Sequence, residues 1–167
     1  VAIEVTMTVP GALKLIEEAA SQMQDTIVGV GSVLDPETAR SAILAGAEYV
    51  VSPILNLDVI QMAKRYGKVV MPGAFTPTEI LTAWQAGADV VKVFPASAGG
   101  PSYFKDIKGP LPQVRLMPTG GVDIKTTPEF IKAGACAVGA GSAMVDKVAV
   151  ANRDWKKLTE TASGFVE

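Results

Sequence analysis

Seven short apolar segments alternate with seven amphipathic ones along 167 residues, which predicts an α/β fold of the (β/α)8 TIM-barrel kind. The composition agrees, with 49% of residues apolar and only 6% aromatic. That balance calls for a core of Val, Ala, Ile and Leu, as in parallel strands covered by helices on both faces. The competing open, doubly wound sheet would carry a glycine-rich fingerprint after its first strand, and none is present.

The apolar segments read as strands over Ala2–Thr6, Ile27–Gly31, Tyr49–Ser52, Val69–Pro72, Val90–Phe94, Arg115–Pro118 and Ala137–Gly141. Helical patterns lie between and after them, at Gly11–Gln22, Pro36–Ala45, Leu57–Tyr66, Pro77–Ala86, Tyr103–Ile107, Thr127–Ala133 and Asp154–Phe165. Asp35-Pro36 and Thr76-Pro77 each put a capping side chain before a proline at the first helical position, and Asn56 can cap the helix at Leu57. Ala45-Gly46-Ala47, Ala86-Gly87-Ala88 and Ala133-Gly134-Ala135 recur where a helix gives way to a strand. Glycine there supplies a left-handed helix end.

No linker or low-complexity stretch interrupts the pattern, so residues 1–167 read as one barrel domain with seven βα units. A barrel of this kind closes with eight strands and typically takes about 250 residues. The pattern also begins abruptly inside a strand, at Val1-Ala2-Ile3-Glu4. A first strand–helix unit is therefore expected to be absent from the chain.

Composition removes whole classes of chemistry. Histidine does not occur and Cys136 is the single cysteine, so a His-ligated zinc, a Cys-rich metal site, an intrachain disulfide and a nucleophile–histidine pair are excluded. Neither a metal nor another cofactor is expected. Cys136 reads as a small core residue. The net charge of −2 comes from 15 basic and 17 acidic residues spread along the chain. No basic block suits a nucleic acid and no apolar run is long enough to span a bilayer, so neither a nucleic acid nor a membrane is an expected partner. A cytoplasmic location is the default.

In such a barrel the chemistry gathers at the C-terminal ends of strands. Lys92 is the only lysine inside an apolar strand, in Asp89-Val90-Val91-Lys92-Val93-Phe94-Pro95. Desolvation there disfavours the ammonium form, and a neutral amine can attack a ketone to form an iminium. Glu4, in Ala2-Ile3-Glu4-Val5-Thr6, is the one acidic residue well inside a strand, and burial is expected to tune it as a general acid/base. The plainer alternative is a structural Glu4–Lys92 ion pair.

Thr119-Gly120-Gly121 and Gly139-Ala140-Gly141-Ser142 follow the last two strands. Such loops bind phosphate through backbone N–H groups and a helix N-terminus, although a Gly-Gly there is also an ordinary turn. Thr6, Thr8 and Ser32 offer hydroxyls at the same mouth for a carboxylate, or act as turn and cap residues. Phe94 is expected to pack over the lysine. Pro53, Pro72 and Pro95 fix strand-end turns, with substrate contact secondary.

Glu4-Val5-Thr6, Gly29-Val30-Gly31-Ser32-Val33-Leu34, Val51-Ser52-Pro53, Met71-Pro72-Gly73, Lys92-Val93-Phe94-Pro95-Ala96 and Pro118-Thr119-Gly120-Gly121-Val122 together resemble the 2-keto-3-deoxy-6-phosphogluconate (KDPG) / 4-hydroxy-2-oxoglutarate (KHG) aldolases. The resemblance implies a (β/α)8 barrel, usually trimeric, that splits KDPG reversibly into pyruvate and glyceraldehyde 3-phosphate through a lysine Schiff base. It implies Lys92 as that lysine and Glu4 as acid/base. It further implies phosphate binding by Gly120, Gly121, Gly141 and Ser142, with Thr119 lining the pocket. The chain carries Thr8 where many members have an arginine, Ser32 for a threonine and Ile54 for a histidine; the family's first strand, which ends in arginine, has no counterpart.

The leading expectation is a class I aldolase acting on a small 2-oxo acid, phosphorylated according to the glycine loops, and assembled as a homotrimer. A non-catalytic trimeric scaffold or assembly subunit is one alternative. A phosphosugar isomerase or epimerase, which would not need the buried lysine, is the other.

Overall fold

Four parallel strands lie side by side in chain order: β1 (Ala2–Thr6), β2 (Ile27–Gly31), β3 (Tyr49–Val51) and β4 (Val69–Met71). The computed structural model describes residues 2–165, so Val1 of the abrupt start lies outside the described residues. Two compact units divide at Lys92/Val93, and these strands belong to the first. Register pairs Glu4 with Gly29 and Thr6 with Gly31, while Gly29 also pairs with Tyr49 and Tyr49 with Val69. Paired residues of parallel strands share a face, so the sheet sorts its side chains strictly.

One face is the core. Val28, Val30, Val50 and Val70 are at most 1% exposed, and Ile3 and Val5 flank them. They meet Ile16 of α1 (Ala12–Gln22), Ala39, Ala42 and Ile43 of α2 (Pro36–Leu44), and Val59, Ile60 and Ala63 of α3 (Leu57–Arg65). The opposite face carries Glu4, Thr6, Gly29, Gly31 and Tyr49.

The helices begin where the capping residues stand. Asp35 accepts the Thr38 N–H at 2.7 Å, and Asn56 accepts the N–H groups of Asp58 and Val59. Thr76 and Glu79 close a reciprocal capping box on α4 (Pro77–Gln85). The three Ala-Gly-Ala steps all end helices with a left-handed glycine, φ 112° at Gly46, 98° at Gly87 and 100° at Gly134. Beyond each, the alanine N–H returns to a helical carbonyl five residues back: Ala47 to Ala42, Ala88 to Ala83 and Ala135 to Phe130.

β3 ends one residue before Ser52, and β4 ends one before Pro72. Proline has no N–H to continue a ladder; its carbonyl instead accepts the Lys92 N–H at 2.9 Å, and two residues of β5 (Gly73–Ala74) follow. β6 (Val91–Val93) then leads out of the first unit.

The second unit opens with a single 3-10 turn, Ala96–Ala98, and α5 (Gly100–Lys108), longer than the predicted Tyr103–Ile107 because Pro101 starts a first turn ahead of it. β7 (Leu116–Pro118), α6 (Thr127–Lys132), α7 (Lys147–Ala151) and α8 (Trp155–Ser163) complete it. The rings of Phe104 and Phe130 pack edge to face, centroids 5.1 Å apart, and join α5 to α6.

The predicted strand Ala137–Gly141 does not form. Its neighbourhood makes only isolated bridges, Leu116 to Ala135 and Thr119 to Gly139. Two glycines and small neighbours bury too little side chain to hold a full strand there. Cys136, expected in the core, is exposed. α7 is absent from the sequence reading because alternating Val148 and Val150 hid a five-residue helix that Asp146 caps. Among the described residues, no helix is long and apolar enough to cross a membrane.

Candidate active site

On the non-core face of the first unit, β2 has no side chain at either of two successive inward positions. The Glu4 side chain leans from β1 across that gap, where a β-carbon on Gly31 would overlap its carboxylate oxygen and Cδ. The Tyr49 ring leans in from β3, where a β-carbon on Gly29 would overlap its Cζ and both Cε atoms. The glycines are required by close approach, not by backbone angle: neither has a positive φ.

Lys92 sits in the middle of β6 with only 6% of its surface exposed. Burial pushes its pKa below the ordinary 10.5, and the nearby Glu4 charge works against that shift. Glu4 shows the mirror image, raised above the ordinary 4.5 by burial with the Lys92 charge opposing. Desolvation therefore outweighs the mutual attraction at both groups, which draws the two ionisations towards each other. The Glu4 residue as a whole is exposed, while its carboxyl end lies against β2 at Gly31 and is desolvated there.

The other predicted residues of this unit surround the strand ends. The hydroxyls of Thr6 and Thr8 lie 2.7 Å apart. Ser32, directly after Gly31, is half-buried in a left-handed conformation, φ 58°. Ser52 is fully buried, and its hydroxyl donates to the Ile54 carbonyl at 2.8 Å, which fixes the turn at Pro53. That turn packs against Gly73, whose β-carbon would overlap the Pro53 carbonyl; Pro72 beside it is buried.

The second unit brings the two glycine loops together. The Thr119 N–H donates to Val93, and the Gly139 N–H donates to Pro118 at 2.9 Å. Gly120 and Gly121 are both left-handed, φ 85° and 76°; Phe94 packs against the first and Ser97 against the second. The Thr119 hydroxyl is buried and has no hydrogen-bond partner among the described residues. Such an orphan invites a ligand oxygen. Gly141 and Ser142 do not stand at a helix N-terminus. The Gly141 carbonyl instead accepts N–H groups of Met144 and Val145 in a turn, and the next helix starts at Lys147.

Tyr49 escaped the sequence reading. The available signal was a strand with glycines at alternate positions, which leaves room for a large residue on the neighbouring strand.

Parallel strands carrying a desolvated lysine and a carboxylate that act on each other's charge are compatible with lyase chemistry. The family model for KDPG and KHG aldolase matches residues 1–161, and the chain belongs to that family. It is 35% identical over 142 residues to the 2-dehydro-3-deoxy-6-phosphogalactonate aldolase of Escherichia coli strain K12, covering 84% of this chain and 67% of that protein. It is 31% identical to the 2-dehydro-3-deoxy-phosphogluconate aldolase of Pseudomonas aeruginosa, covering 99% of this chain and 76% of the relative. Among solved structures, KDPG aldolase from Legionella pneumophila, with pyruvate captured at low pH as a covalent carbinolamine intermediate, superposes with a TM-score of 0.90 at 30% identity, over 99% of this chain and 80% of that one.

Proposed function

We propose that this enzyme is a class I aldolase that cleaves KDPG, and 4-hydroxy-2-oxoglutarate as a second substrate, through a Schiff base on Lys92. The observation that carries the reading is a lysine 6% exposed, its amine shifted towards the neutral form and within electrostatic reach of Glu4. The Lys92 amine adds to the C2 ketone, and Glu4 gives and takes the protons that let the carbinolamine lose water. Glu4, acting through a water, then removes the proton of the C4 hydroxyl. The C3–C4 bond breaks, its electrons move into the iminium, and an aldehyde leaves behind an enamine. Protonation at C3 and hydrolysis release pyruvate and restore the amine.

In this reading the chain works as a (β/α)8 barrel. Thr6, Thr8 and Ser32 hold the substrate carboxylate, and Pro53, Pro72 and Phe94 shape its surroundings. Gly120, Gly121, Gly141 and Ser142 take the phosphate, and the orphan hydroxyl of Thr119 supports a ligand oxygen beside them. The assembly is a homotrimer, which light scattering checks.

Reduction with borohydride in the presence of pyruvate tests the mechanism. A peptide containing Lys92 should gain the mass of the reduced pyruvyl adduct, and an unchanged peptide would sink it. Lys92→Arg should also remove nearly all retro-aldol turnover, whereas an isomerase or epimerase would retain much of its activity.

A further inference from the structure

The sheet face that holds Glu4 carries one more functional side chain, and the aldol chemistry leaves it unused. Glu4, Gly29 and Tyr49 form one row across three adjacent strands. Tyr49 belongs to β3, yet its ring covers Gly29 on β2, and the ring atoms nearest that glycine are Cζ and the two Cε. The hydroxyl-bearing end of the ring therefore reaches over β2, and Glu4 is the charge that acts on it. Glu4 comes from the other side and lies over Gly31, the next inward position of the same strand. The two side chains converge above a strand stripped of side chains. Tyr49 is 7% exposed, packed into that place.

We propose that Tyr49 is a positioning residue for Glu4: its phenol hydroxyl, delivered across β2 through the gap at Gly29, holds the Glu4 carboxylate over Gly31 by a hydrogen bond bridged by one water. Where two polar groups share a sheet face without a direct hydrogen bond, a bridging water substitutes for it. The phenol is a dependable donor there. Burial and the Glu4 charge both hold its pKa above the ordinary 10.0, so it keeps its proton throughout the working pH range. The titratable groups facing the carboxylate are Lys92 from β6 and Tyr49 from β3. Both favour its ionised form, one by charge and one by donation, against desolvation.

This inference rests on the aldolase reading, and the test separates the two. Tyr49→Phe keeps the ring over Gly29 and removes only the hydroxyl. Thermal midpoint, KM and pyruvate trapping by borohydride should stay close to wild type. kcat below neutral pH should fall by roughly 5- to 10-fold, and the acid limb of the kcat profile should move up by about 0.5–1 pH unit, the size expected for losing one donor to a carboxylate. In a Glu4→Gln background the same change should cost almost nothing further, because the hydroxyl acts through the carboxylate. A wild-type limb and kcat in Tyr49→Phe, or an equal loss with and without Glu4, overturns the proposal while trapping leaves the aldolase reading intact. Failure of the wild-type protein to trap pyruvate overturns the aldolase reading and this inference with it.

Discussion

Replacing Gly31 or Gly29 with alanine adds the same single carbon to the same strand, yet the two changes should act on different properties. Both glycines have ordinary extended backbone, so alanine itself fits and removes unfolded-state entropy worth about 0.4–1 kcal/mol of stability. What the new carbon meets decides the rest. At Gly31 it meets the end of Glu4, an exposed residue whose flexible side chain can rotate into water at small cost. Gly31→Ala should therefore melt within a few degrees of wild type. Its kcat should drop about 100-fold or more, because in the proposed mechanism Glu4 is the acid/base and such groups contribute roughly 10²–10⁴ in rate. At Gly29 the carbon meets the ring of Tyr49, which is 7% exposed and has no comparable escape. Overpacking of this kind costs about 1–3 kcal/mol, enough in a chain of this size to lower the melting temperature by a few to roughly 10 °C. Thermal denaturation followed by circular dichroism, paired with a coupled assay for pyruvate release, separates the outcomes. A Gly31→Ala enzyme with wild-type kcat, or one as destabilised as Gly29→Ala, would refute the placement of Glu4.

Three further outcomes are expected. The acid limb of the kcat profile should lie above the ordinary carboxylate value of 4.5, because burial raises Glu4, and Glu4→Gln should remove that limb. Lys92→Met should raise the thermal midpoint near neutral pH. The folded pKa of Lys92 is lowered, so between that value and 10.5 the unfolded chain binds a proton that the folded chain has released. The burial cost is complete below the folded value and gone above 10.5, so the gain should shrink as pH rises through that window; a gain that grows with pH would contradict it. Asp35→Ala removes the cap on Thr38 and should cost about 1 kcal/mol in urea denaturation, with turnover unchanged. A loss of activity at matched folded fraction would show that α2 matters beyond stability.

Much of the site was legible because it is written locally. A lysine inside Val90-Val91-Lys92-Val93 declares its own desolvation, and the structure finds it buried with its pKa lowered. Glu4 was legible as a partner but not in its setting. The residue as a whole is exposed while its carboxyl end lies over Gly31, a property of register rather than of the letters around it. The loop at Gly141-Ser142 closes as a turn in which the Gly141 carbonyl accepts from Met144 and Val145, and no short-range rule announced it.

By itself the sequence determined the βα alternation, the caps at Asp35, Asn56 and Thr76, the left-handed helix ends at Gly46, Gly87 and Gly134, and the singular lysine. Each depends on interactions among residues a few positions apart, which periodicity and capping chemistry express directly. Only the tertiary structure decided that Ala137–Gly141 makes a single bridge, at Gly139, instead of a strand, that Glu4 lies over Gly31, and that Tyr49 covers Gly29. Those outcomes depend on what the neighbouring strand presents at the same level. Register, not composition, sets the space left by a missing β-carbon and the side chain that fills it.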